Sequence, residues 1–187
     1  MQEKATPSEL SAAGLIMGGS FDESVHPSGH YHVECYGADG KLKWEDEIQN
    51  LVTTVGKNLL LDTILGNSAA GAVILGLCGA GTKAVGDTQA SHAGWLEVGL
   101  ANAPAYTAPR KSPTFNAASA GSKTATAASA FAITSSGTVA GCFINLGGTT
   151  TIDNTTGTLY SAGDFTGGSR AVINGDTLNV TYTATMA

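Results

Sequence analysis

The side chains best suited to chemistry lie in the first half of the chain. His30, His32 and Glu34, with His26 just upstream, have the spacing of residues two apart on a strand, which project from one face and can share a metal ion. The same spacing describes a solvated face opposite Tyr31, Val33 and Cys35, and no fourth ligand with helical i, i+4 support is visible. We read it as the polar side of a strand. Glu45-Asp46-Glu47, near Asp39, offers the hard oxygen ligands that a calcium ion prefers, but lacks the spaced acidic pattern of a calcium loop. Beside Lys41 and Lys43 it reads as a charged strand face.

The segment Gly79-Ala80-Gly81-Thr82-Lys83, within the glycine-rich stretch 76 to 86, has the look of a phosphate-cradling loop with its lysine. The order is wrong for one, since Lys83 follows Thr82 and precedes Ala84, and no capped helix begins after it. Ser91-His92 is a neighbour pair in sequence, whereas a nucleophile and its base are defined by spatial geometry. Trp44, Trp95, Tyr36, Tyr106 and Tyr160 have the chemistry of a carbohydrate platform, yet isolated strand aromatics are more often core or interface anchors. Cys35, Cys78 and Cys142 lie far apart among apolar residues and read as reduced, buried small hydrophobes, with one intermolecular bridge as the minority reading. The sequence thus yields no catalytic, cofactor or metal assignment, and the expectation is a protein that is not an enzyme.

Charge narrows the partners. The net charge of -6 sits in residues 1 to 62, which hold ten of the fifteen acids and four of the nine bases, while the remainder balances at five of each. Affinity for nucleic acid requires clustered Lys and Arg, and only Arg110 and Lys111 stand side by side. Between Ser112 and Ala162 only Lys123 and Asp153 are charged in a run of Ala, Ser, Thr, Gly and Asn. Phe115, Phe131, Ile133, Val139, Phe143, Ile144, Leu146, Ile152, Leu159 and Tyr160 punctuate that run and suffice to order a sheet. The apolar patch Ala12 to Met17 is too short for a membrane span or signal segment, so folding in a cytoplasm is expected.

The elements that must position these residues are mainly strands. His30 to Cys35 alternates, Gly37 to Gly40 turns, and Lys41 to Val52 returns, forming a hairpin. Thr53 or Thr54 caps a short helix that runs to Ile64 and ends at Gly66 in a left-handed conformation. Ala72 to Cys78 and Gly94 to Val98 are strands, and Pro104, Pro109 and Pro113 keep the next connection extended. Further strands are expected at residues 112 to 117, 127 to 134, 138 to 146, 158 to 160, 168 to 173 and 176 to 185, the last two joined as a hairpin by Asn174-Gly175. The sum is an antiparallel β-sandwich or jelly roll over residues 30 to 187 with one helix near 54 to 65. Residues 1 to 29 read as an extended arm whose Leu15, Ile16, Met17 and Phe21 dock on the same subunit or on a neighbour.

Particular segments resemble a group of small virion proteins of tailed bacteriophages. They are Tyr31-His32-Val33-Glu34-Cys35, Gly37 to Trp44, Asn50 to Asp62, Ser91-His92-Ala93-Gly94-Trp95, Gly157 to Phe165, Arg170-Ala171-Val172 and Asn174 to Thr181, together spread over most of residues 30 to 185. The resemblance implies a structural protein of the virion that decorates or cements the capsid surface as a dimer or trimer, with the major capsid protein as partner and neither nucleic acid nor membrane. The arm then fits clamping onto a neighbouring subunit. Members also occur as head-fibre or tail-associated proteins, so a receptor- or carbohydrate-binding module is the alternative. These motifs are turns and strand pairs, and they carry over no catalytic residue.

Overall fold

The computed structural model describes residues 25–186; the arm residues Leu15, Ile16, Met17 and Phe21 lie outside that range. The described chain is mainly β, with 48% of residues in strands and 7% in a single helix. Two five-stranded antiparallel sheets form a sandwich. In the first, β2 (Leu42–Gln49), β1 (Pro27–Tyr36) and β12 (Thr177–Met186) lie side by side, and the far edge of β12 is shared by β6 (Ser122–Thr124) and β7 (Ser129–Ala132). In the second the order is β3 (Leu51–Val52), β10 (Thr158–Asp164), β9 (Gly141–Leu146), β4 (Val73–Gly81) and β5 (Trp95–Val98). A two-stranded ribbon of β8 (Gly137–Val139) and β11 (Arg170–Val172) completes the set.

Period-two alternation explains the first sheet. Tyr31, Val33 and Cys35 on β1 point inward with Leu178, Val180 and Tyr182 on β12, and the two strands pair in register as Tyr31 with Tyr182 and Val33 with Val180. These meet Leu75, Leu77, Cys142 and Ile144 from the second sheet in one continuous core. All six residues of β9 are buried, because the second sheet is covered on its outer face as well. There Phe143, Trp95, Cys78, Leu159 and Ala162 make a second apolar cluster under the long loops.

The chain changes sheets at Asn50. Its N–H donates to the Gly29 carbonyl at 3.0 Å and its Nδ2 to the Tyr182 hydroxyl at 2.9 Å, so the expected single strand from Lys41 to Val52 is two strands in two sheets. The helix α1 (Thr54–Ile64) follows as expected: the Thr53 hydroxyl accepts from the Gly56 N–H at 3.0 Å, and Gly66 adopts φ 76° beyond the C-terminus.

Four expectations about strands require correction. The turn at Asn174-Gly175 exists, but β11 pairs with β8 while β12 pairs with β1, β6 and β7, so the two strands it joins do not form a hairpin. The span 138 to 146 divides at Ala140 into β8 and β9, which serve different sheets. Residues 112 to 117 make only an isolated bridge, Phe115 to Ala125, with Ser122–Thr124 taking the edge instead. At the other end β1 begins at Pro27, where Pro27 to Gly29 pair with Met186 to Ala184.

Candidate functional site

The polar face of the first sheet brings His32 and Glu34 to Glu45 and Glu47, because the register sets His32 opposite Glu47 and Glu34 opposite Glu45. His32 Nδ1 lies 2.8 Å from Glu47 Oε1, and His32, Glu34 and Glu45 each place a ligand atom within 4.8 Å of the others. His30 stands outside that group. The arrangement has the donor types of a cation site on a solvated face, where carboxylates also gather without an ion.

The acidic run on β2 is not one charged face. The pleat turns Glu45 and Glu47 to solvent and Asp46 inward, 7% exposed, where Thr166 donates from its hydroxyl at 2.6 Å and Arg170 donates from Nε and a terminal nitrogen at 3.1 and 2.5 Å. Burial alone pushes the Asp46 carboxyl upward, yet the hydrogen bonds from Thr166 and Arg170 outweigh it and hold the group below its ordinary value.

Other sequence candidates are occupied by structural contacts. Lys83 donates to the Gly79 carbonyl at 3.0 Å and pairs with Asp164, so the glycine-rich segment keeps its lysine for itself. The His92 ring stacks on Trp95 at 4.0 Å with Nδ1 3.1 Å from the Trp95 carbonyl oxygen, and the contacts of Ser91 run to Thr88. Trp95, Tyr106 and Tyr160 are buried, which removes them from any exposed sugar platform, while the half-buried Trp44 packs edge-on against Phe165. All three cysteines are buried and unpaired. Burial raises each thiol, Cys35 to about 11 with the Asp176 charge adding to it, and Cys78 to about 12.

The most buried charges carry no local sequence signal. Arg110, 1% exposed, grips Glu97, 5% exposed, through bonds of 2.7 and 2.5 Å and donates to the Asn154 carbonyl at 2.9 Å, while Glu97 accepts from the Asp153 N–H at 2.9 Å. Asn145 donates to Gln89 at 2.8 Å and to the Thr156 carbonyl at 3.0 Å. This network ties the loops over the outer face of the second sheet to its strands. Lys43 likewise reaches the buried Asp176 at 2.6 Å. Because these partners come from separate segments, no spacing rule marks them.

The described surface also holds an apolar groove. Leu61 and Ile64 on α1 and Leu65 at its C-cap form an exposed stripe, 59%, 68% and 80% exposed, and Val25 and Met186 continue it beneath the helix. The groove of about 320 Å³ there is followed by two more hollows that share Leu60 with it and run between the sheets past Tyr160 and Ala184.

No protein family, curated protein or solved structure matches this chain. Function therefore rests on the residues and their geometry.

Proposed function

We propose that this chain is a structural virion protein that decorates a bacteriophage capsid and stabilises the shell. One observation supports this reading beyond the sequence resemblance: apart from the acidic face of the first sheet, the chain after Asp62 commits most of its charged groups to internal contacts. Of the ten charged residues after Asp62, Lys83, Glu97, Arg110, Asp164, Arg170 and Asp176 stand in ion pairs. Asp87 accepts from Trp95 Nε1 at 2.9 Å, and Asp153 accepts from the Ala101 N–H at 3.2 Å. What remains outside is rich in small hydroxyl groups, such as Ser28 with Thr185 and Thr124 with Thr183 across the first sheet.

Such a surface suits close packing against another protein, because an interface core is depleted in charge and burying an unpaired ion is costly. It does not suit steering of a charged polymer. The partners on this reading are the major capsid protein and further copies of the chain. Repetition over a shell multiplies modest contacts into strong reinforcement. The polar side chains marked as chemically capable are mostly committed to internal contacts, which supports binding over catalysis.

Purified protein mixed with heads that lack it should co-sediment to a saturable, symmetric stoichiometry, and cryo-electron microscopy should place it on the outer shell. Failure to bind heads, or density only on the tail, overturns the assignment; tail density would favour the receptor-binding alternative.

A further inference from the structure

We infer that the apolar groove beside α1 is the seat of the chain's own N-terminal segment, with Leu15, Ile16, Met17 and Phe21 as the side chains that fill it. The groove lies where the described chain begins, since Val25 and Pro27 form part of its wall together with Leu61, Ile64 and Met186. The eleven-residue helix leaves Leu61 and Ile64 outward, with Leu65 at its C-cap, and this apolar stripe has no partner among the described residues. The deeper hollow, about 250 Å³, is lined by Phe115, Ile144, Leu146 and Tyr182, so the groove leads into the open end of the sandwich.

Reach and charge both favour this occupant. Phe21 lies four residues before Val25 and Leu15 ten, which an extended chain spans in at most about 14 and 36 Å. Between them and the groove lie Asp22, Glu23 and Ser24, and Lys57 stands in the groove wall, with Lys123 in the deeper hollows. Neither lysine has an ion pair among the described residues, so the acidic spacer meets cations available to it. A segment tethered this closely has a millimolar effective concentration at its own groove, which places it ahead of a second copy in dilute solution. The inference stands apart from the virion reading, because the isolated protein carries it.

The test is a double-mutant cycle on the full chain in solution. One variant carries Met17→Ser and Phe21→Ser, a second Leu61→Ser and Ile64→Ser, and a third all four; the groove positions are exposed, so the fold is retained and is checked by circular dichroism. The rate at which a non-specific protease cuts within residues 1 to 24 should rise about tenfold in either double variant, with no further rise in the quadruple variant, and be independent of protein concentration. Additive increases, or a wild-type segment that is already cut freely, overturn the assignment. Protection that grows with concentration, together with an oligomer that the arm substitutions dissolve, gives the groove to a neighbouring copy and overturns it in favour of exchange.

Discussion

Arg110 and Glu97 face each other through two parallel N–H···O bonds inside the protein, with the Phe143 ring 5.4 Å from the guanidinium carbon. Glu97 lies on β5 and Arg110 in the loop beyond it, so the pair fastens a long loop to an edge strand.

Removing one member of that pair leaves the other charge buried and unpaired. Glu97→Gln or Arg110→Met should each destabilise by about 3 to 5 kcal/mol, while the double replacement Glu97→Gln with Arg110→Met should recover part of the loss. Urea unfolding of the three variants measures this. Single losses that add without recovery would show that packing of the loop, and not the charge pair, carries the effect.

Asp46 sets an acid limit. Its folded-state carboxyl is depressed, so the stabilisation it provides is present above the ordinary aspartate value of about 3.9 and is lost as pH falls through the folded value. Asp46→Asn should lower stability at neutral pH by about 1 to 3 kcal/mol, discounted because Arg170 is partly solvated. The variant should also show a shallower fall between pH 5 and pH 2 than the parent in chemical denaturation, a window of about three units. Parallel curves for the two proteins would assign the acid transition to other carboxyls.

The thiols set the opposite limit. Cys35 and Cys78 have folded values near 11 and 12 because burial disfavours the thiolate, so their contribution is complete below the unfolded value of about 8.5 and declines as pH rises toward the folded ones. Alkylating reagent at neutral pH should leave all three cysteines intact in the native protein and modify all three in denaturant. Rapid labelling of native protein would mean that the core opens far more readily than its packing indicates.

What was legible in the sequence follows from how local the cause is. Tyr31, Val33 and Cys35 alternate against His30, His32 and Glu34 because one face of β1 is buried, and the same logic exposed β12. Thr53 and Gly66 announced the helix ends through backbone chemistry that needs only a few residues. Strand partnership is a different matter. Asn174-Gly175 specifies a turn, but Asp176 is held there by the Ile173 N–H at 2.9 Å and by Lys43, and its own N-terminal neighbour strand finds β8 instead. Alternation with Trp44 and Ile48 places Asp46 on the inward face of β2, but its partner Arg170 lies 124 residues away, so nothing in the acidic run showed that the inward carboxylate would be paired.

Gly56 sets helix propensity against packing. Alanine in place of glycine inside an exposed helix gains about 1 kcal/mol, yet a Cβ at Gly56 would meet the Tyr160 carbonyl oxygen at 2.5 Å, and backbone cannot retreat as a flexible side chain does. The contact should win, because Thr53 already pins the start of α1 to β10 by donating to the Leu159 carbonyl at 2.5 Å. Gly56→Ala is therefore expected to destabilise by about 1 to 3 kcal/mol. Asn58→Ala, exposed on the same helix, should be neutral or slightly stabilising. Thermal unfolding of the two variants decides between the effects. A Gly56→Ala protein as stable as the Asn58→Ala protein would mean that α1 stands further from β10 than the helix cap places it.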